Sequence, residues 1–175
     1  MSKALVIVDI QNDYFPGGAM ELHKANEAAS VAAQIKAEFR SQGLPVIVVQ
    51  HVAQSPTATF FIPGTAGVEI HESVALEDGD IHIVKHYPNS FRETNLLAEL
   101  RENEVTELTI VGMMTHMCID TTVRAANDLG FDVTVYANAC ATRDLSYGHT
   151  VSAVDVQAAY LAALDGSFAK VINWE

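Results

Sequence analysis

The sequence predicts an α/β fold: a three-layer αβα arrangement around a six-stranded, mainly parallel sheet with helices on both faces. Three observations carry this expectation. Short Val- and Ile-rich runs alternate with longer Ala- and Leu-rich stretches, the rhythm of strand and crossover-helix units. The short runs are near-continuously hydrophobic rather than alternating with polar residues, so both faces of the sheet are expected to be buried. The chain has 175 residues, 49% hydrophobic and 18% charged, too apolar for disorder and close to one domain at roughly 150 residues per domain. One domain over residues 1–175 is therefore expected.

The strands are expected at Leu5 to Val8, Pro45 to Gln50, Ile81 to Val84, Leu108 to Val111, Val133 to Tyr136 and Ala169 to Ile172. Helices are expected between them, at Ala25 to Gln42, Glu93 to Asn103, Cys118 to Leu129 and Thr150 to Leu164. Three of the four stop at or just before a glycine, Gly43, Gly130 or Gly166, a residue suited to the left-handed turn that ends many helices. In the third helix Ile119, Val123, Ala126 and Leu129 recur at three- and four-residue spacing, a stripe that should pack on the sheet. Val52 to Asp80, with Pro56, Pro63, Gly64, Gly67 and Gly79, reads as a long loop. A loop that long in a compact domain is usually functional, and it is expected to roof a pocket.

Composition excludes several partners. The net charge of −12 repels phosphate backbones and anionic headgroups, so neither nucleic acid nor a membrane surface is expected as a partner. The apolar runs are far shorter than the roughly 20 residues a bilayer span needs. The N-terminal Met1-Ser2-Lys3 leads into a run too short for a signal-peptide core, and a cytoplasmic location is expected. Two cysteines, Cys118 and Cys140, cannot staple a chain of this size and are expected to be thiols. The pieces Pro16-Gly17-Gly18 and Gly64-Thr65-Ala66-Gly67 lack the spacing of nucleotide-binding loops, so no cofactor is expected.

Open parallel sheets place their sites at the carboxyl ends of the strands. There the sequence puts Asp9 after the first strand, Lys85 after the third, and Cys118 at a helix start after the fourth. A carboxylate, an amine and a thiol on one edge make an activated nucleophile. A free thiol is only a few per cent thiolate at neutral pH. The helix N-terminus and Lys85 are expected to lower its pKa, and Asp9 to accept its proton. The backbone N–H groups of Met114 and Cys118, at the strand-to-helix turn, are expected to face a developing oxyanion. Phe15, Tyr87, Asn89 and Phe91, with Phe60 and Phe61 of the roof, are candidate substrate contacts, rings for stacking and an amide for hydrogen bonding. Cys140 follows a strand with no helix starting at it and is read as structural.

Three stretches, Val6-Ile7-Val8-Asp9-Ile10-Gln11-Asn12-Asp13-Tyr14-Phe15, Val84-Lys85-His86-Tyr87-Pro88-Asn89-Ser90-Phe91 and Val111-Gly112-Met113-Met114-Thr115-His116-Met117-Cys118-Ile119-Asp120, resemble in order the signature blocks of the isochorismatase-like cysteine hydrolases. Ala139-Cys140-Ala141-Thr142-Arg143-Asp144 resembles the segment after strand five in that superfamily. The resemblance implies an Asp9, Lys85, Cys118 triad, a cis peptide between Met113 and Met114, and a homo-oligomer. Nicotinamidases in this superfamily bind a divalent metal through an Asp-x-His pair after strand two. Here Val49-Gln50-His51-Val52-Ala53 has no carboxylate at that spacing, and no metal is expected. The implied function is cysteine-dependent hydrolysis of a C–N bond in a small amide, ureido or carbamoyl compound through a thioester. Two alternatives stand beside it: a vinyl-ether hydrolase of the isochorismatase type, against which Cys118 argues, and a non-catalytic binding or scaffold protein of the same fold.

Overall fold

A computed structural model describes residues 2–175. Six parallel strands, β1 (Ser2–Val8), β2 (Val46–His51), β3 (Ile81–Lys85), β4 (Val105–Met113), β5 (Asp132–Ala141) and β8 (Lys170–Ile172), form one sheet in the order β3-β2-β1-β4-β5-β8. Parallel neighbours need crossovers. These are α1 (Ala25–Ser41) between β1 and β2, α2 (Leu96–Glu102) between β3 and β4, α3 (Asp120–Asp128) between β4 and β5, and α4 (Ala153–Leu164) before β8.

Alternate residues of each strand feed opposite faces, as the pleat requires. Leu5 and Ile7 of β1 and Val111 and Met113 of β4 join Ala28, Ala32, Ile35 and Phe39 of α1 in one core. Val6 and Val8 of β1 and Leu108 and Ile110 of β4 join Leu96, Leu100, Val123, Ala126, Leu161 and Leu164 of the other helices in a second. The three layers expected from the apolar runs are thus α1, the sheet, and α2 to α4.

Element bounds differ from the expectation where tertiary contacts override local pattern. Strands β4 and β5 run to Met113 and Ala141, because pairing with each other carries them past the end of the Val/Ile run. Helix α2 begins only at Leu96, after turns that fold Ser90 against Thr122. Leu129, counted in the α3 stripe, is 40% exposed, and Phe131 in the following turn fills the core instead. A two-stranded antiparallel hairpin, β6 (Leu145–Tyr147) and β7 (His149–Val151), precedes α4. Strands of three residues are too short for alternation to reveal. No helix of the described residues is long and apolar enough to cross a membrane.

The sheet order reverses direction between β1 and β4, so the connections that leave their carboxyl ends diverge and open a crevice. Gly112 fixes how closely they approach. Its φ is +128°, and a Cβ there would strike the Val8 carbonyl, so glycine alone lets β4 lie flush against β1 at the level of the site.

Candidate active site

The chain enters the crevice from three strand ends. Asp9 follows β1 in left-handed backbone, φ +52°, a conformation that Asp adopts more readily than most residues. Lys85 ends β3, which lies two strands from β1 and so roughly 10 Å away at the usual spacing. Its long side chain spans the gap across the end of β2. After β4 the chain passes a cis Met113–Met114 peptide, as the resemblance implied, into a π-helical turn, Thr115–Ile119, that carries Cys118 and runs on into α3.

The Lys85 ammonium is the hub. Its three N–H groups are shared among four neighbours within hydrogen-bonding distance, Asp9 Oδ2 at 2.8 Å, His51 Nδ1 at 3.0 Å, the Tyr87 carbonyl at 3.1 Å and Cys118 Sγ at 3.3 Å. Asp9 and Lys85 are fully buried and Cys118 is 5% exposed. Burial alone would depress the Lys85 pKa, but the Asp9 charge and hydrogen bond, with a smaller share from Cys118, raise it above the ordinary value. The amine therefore stays charged. Among the described residues Asp9 Oδ1 is buried with no hydrogen-bond partner.

The thiol departs from the expectation. The helix terminus and Lys85 were to lower its pKa; instead burial, and next the negative charge of Asp9, push Cys118 well above the ordinary thiol range, with Lys85 only partly opposing them. The resting sulfur is a thiol, and the proton must leave as the sulfur attacks.

His51, not singled out as a site residue from sequence, ends β2 between the Asp9 and Lys85 strands. Burial, then the Lys85 charge, pulls its pKa down to about 4, so it is a neutral acceptor at pH 7. Ligand atoms of Asp9, His51 and Cys118 lie within 4.8 Å of one another, the pattern of a metal site. The Lys85 ammonium already contacts all three, and a divalent ion would have to displace it. These residues fit a bound amine better than a metal.

The roof expected over Val52 to Asp80 includes two 3₁₀ turns, Ala66–Val68 and Glu72–Val74, and is tied down by residues directly after Asp9. The Gln11 carboxamide donates to the carbonyls of His51 and Val68, at 2.9 and 2.7 Å, and accepts from the His51 N–H at 2.8 Å. Asn12 Nδ2 donates to the Ala66 carbonyl, and Asp13 accepts from the Phe61 N–H at 2.6 Å. Gly67 lies so close to the Asp13 carboxylate that any side chain would collide with it. At the far end Lys36 and Arg40 of α1 hold Asp80 at 2.8 and 2.6 Å. Sequence reasoning missed Gln11 and Asp13; their signal was three consecutive polar residues just beyond an apolar strand. Phe60 and Phe61 cluster with Tyr14, whose ring lies 4.7 Å from that of Phe61, while His51 lies 5.8 Å from Phe61.

The four other predicted substrate contacts are placed unevenly. Phe91 does not turn toward the triad: its ring stacks 6.3 Å from Phe131 against the second core, because the chain after Asn89 turns down toward α3. Phe15 stacks on His71 of the roof at 3.6 Å. Tyr87 offers its carbonyl to Lys85 while its ring lies under Arg92 at 3.6 Å, and the Asn89 side chain caps the Phe91 N–H. Cys140 is buried, its thiol pushed up to about 12 by that burial, and its sulfur accepts from the Gly112 N–H. A groove of about 410 Å³ between α1, β5 and α4 reaches Cys140 and Gln157 but not Cys118.

The Met114 carbonyl accepts from the N–H groups of Met117 and Ile119, at 3.0 and 3.2 Å, and skips that of Cys118 between them. Among the described residues the Met114 N–H has no acceptor. Both amides assigned to an oxyanion thus remain candidates on the β4 side of the sulfur. The family model described as the isochorismatase domain matches residues 3–175. The chain belongs to the isochorismatase family. It is 48% identical over 176 residues to the isochorismatase family protein YddQ of Bacillus subtilis, covering 100% of this chain and 98% of that one. A crystal structure from Oleispira antarctica, assigned to the isochorismatase hydrolases, superposes with a TM-score of 0.95 at 44% identity, covering 98% of this chain and 93% of that one. More distant members include the nicotinamidase of Escherichia coli, 25% identical over 79% of this chain and 82% of that one. Another, from Arabidopsis thaliana, is named a probable inactive nicotinamidase, 31% identical over 89% of this chain and 88% of that one. Family membership makes the chain a relative of hydrolases that act on small molecules.

Proposed function

We propose that the protein is a cysteine hydrolase that cleaves the C–N bond of a small amide, ureido or carbamoyl compound through a thioester on Cys118. One observation carries the reading: a single ammonium, Lys85 Nζ, lies in hydrogen-bonding reach of both the Asp9 carboxylate and the Cys118 sulfur, with all three shielded from water. A scaffold protein has no use for a buried acid, amine and thiol gathered from three strand ends, and isolated buried charge is costly.

In this mechanism Asp9 takes the thiol proton as the sulfur attacks the carbonyl carbon, and Lys85 stabilises the negative charge as it passes from the Asp9 carboxylate to the sulfur. The oxyanion rests against the Met114 and Cys118 N–H groups. Asp9 returns the proton to the leaving nitrogen as the C–N bond breaks. It then deprotonates the water that hydrolyses the thioester and hands that proton back to the sulfur. Arg143, whose Nε is buried without an acceptor and whose charge bears on Tyr14 and His116, would receive an acidic or carbonyl group at the far end of the substrate. Tyr87 and Asn89 are retained as contacts near the reacting end. The two free thiols support a reducing, cytoplasmic setting, and exposed Tyr147 and Val154 support a homo-oligomer.

The test is ammonia release from a panel of primary amides, ureido acids and carbamoyl compounds, with wild type and Cys118→Ala run together. Turnover of at least one compound that disappears in the variant supports the reading. Equal turnover in the two proteins rejects covalent catalysis.

A further inference from the structure

The strand next to the site is incomplete. Strand β8 pairs only with Thr134 to Tyr136, so among the described residues the outer edge of β5 from Ala137 onward has no strand beside it. Over the same stretch β5 bulges. Ile110 pairs with Val135 but Gly112 pairs with Cys140, so two steps along β4 are matched by five along β5. The bulge brings Cys140 opposite Gly112, where its sulfur accepts the Gly112 N–H. A bulge leaves ladder groups unpaired and needs another partner to hold its shape.

That partner is one side chain of α4. Gln157 Nε2 donates to the carbonyls of Ala137 and Cys140, both at 3.1 Å, so one amide group clips the two ends of the bulge together. Its Oε1 accepts from the Thr115 hydroxyl at 2.6 Å. Thr115 is fully buried and directly follows Met114 at the start of the turn that carries Cys118. The same carboxamide therefore braces the oxyanion side from two directions: through Cys140 and Gly112 on the strand, and through Thr115 on the turn. Nothing in this chain of contacts touches Asp9 or Lys85.

We propose that Gln157 is a positioning residue that sets the Met114 and Cys118 N–H groups against the developing oxyanion without influencing the formation of the nucleophile. The proposal rests on the reading of Cys118 as nucleophile given above. It predicts that two reactions of the same sulfur respond differently. With p-nitrophenyl acetate, Cys118 forms a bond to the acetyl carbon, the C–O bond breaks, p-nitrophenolate leaves with the electron pair and Asp9 takes the thiol proton. Negative charge passes through the carbonyl oxygen on the way. With iodoacetamide, the sulfur displaces iodide from carbon and no oxyanion forms.

The experiment follows both adducts on the Cys118 peptide by mass spectrometry in wild type, Gln157→Leu, Thr115→Val and Thr115→Ser. Gln157→Leu and Thr115→Val should slow acetylation about tenfold or more, as a shift of a fraction of an ångström in a reacting group does. Both should leave alkylation within about twofold of wild type. Thr115→Ser, which keeps the hydroxyl, should acetylate within about threefold of wild type. Undiminished acetylation in Gln157→Leu overturns the proposal. So does parallel slowing of both reactions, which marks a merely structural role, or a Thr115→Ser that behaves like Thr115→Val. If neither reagent marks Cys118 in wild type, the nucleophile reading itself fails and takes this inference with it.

Discussion

Replacing Asp9 with Asn should make the sulfur more acidic and the enzyme inactive. Asp9 is the largest charged contributor holding the Cys118 pKa up, second only to burial. The ligand atoms of the two residues lie within 4.8 Å. At that separation, with an effective dielectric of about 20, two negative charges repel by about 3 kcal/mol, roughly a hundredfold in thiolate population. In the variant the thiolate becomes the only anion left to pair with Lys85. Thiolate ultraviolet absorbance is the assay, titrated against pH, with a Cys118→Ala background subtracted to remove Cys140. The midpoint should fall by about two pH units relative to wild type, while hydrolysis drops by a factor of a hundred or more because the proton acceptor is gone. A midpoint that stays or rises would show that Asp9 and Cys118 do not compete for one proton, and the proposed first step would be wrong.

Other perturbations follow from the same geometry. Lys85→Met leaves the buried Asp9 carboxylate without its charged partner; urea unfolding at pH 7 should show a loss of about 3–5 kcal/mol, and a change within about 0.5 kcal/mol, as for an ordinary surface substitution, contradicts the buried pairing. Gln11→Leu removes three hydrogen bonds, two to the His51 backbone at the end of β2 and one to Val68 of the roof, and should cost about 2–4 kcal/mol, with hydrogen exchange rising first at Val68 and its neighbours; unchanged protection there argues against the tether. His51 titrates near 6.5 when unfolded and at about 4 when folded. Between those values the unfolded chain binds the extra proton, so stability should fall as pH drops from 6.5 to 4, by up to about 3 kcal/mol, and His51→Asn should flatten that slope in urea titrations; an unaltered slope assigns the acid sensitivity elsewhere.

Much of this was legible in the sequence because it is written in local pattern. The apolar runs at Leu5 to Val8 and, interrupted only by Thr109, Leu108 to Val111 announced central strands buried on both faces, and the parallel topology then placed Asp9, Lys85 and Cys118 on one edge. What the sequence hid depends on long-range packing. His51 looks like any strand-end histidine until β2 is known to lie between β1 and β3. Gln11 and Asp13 acquire meaning only once the roof folds back onto them. Phe91 and Leu129 were misplaced because an apolar residue near a turn can face either side of a layer. The state of the sulfur was misjudged for a different reason: motif logic supplies charges but not burial, and burial is the largest influence on Cys118.

The central claim is that Cys118 becomes covalently acylated during turnover. Rapid-quench mass spectrometry on the wild-type protein, with the compound from the panel that releases ammonia fastest, tests it directly. The account predicts a transient mass increase equal to the acyl portion of that compound, confined to the peptide bearing Cys118. Steady turnover with no adduct on that peptide, together with a Cys118→Ser protein that is equally active, would contradict it.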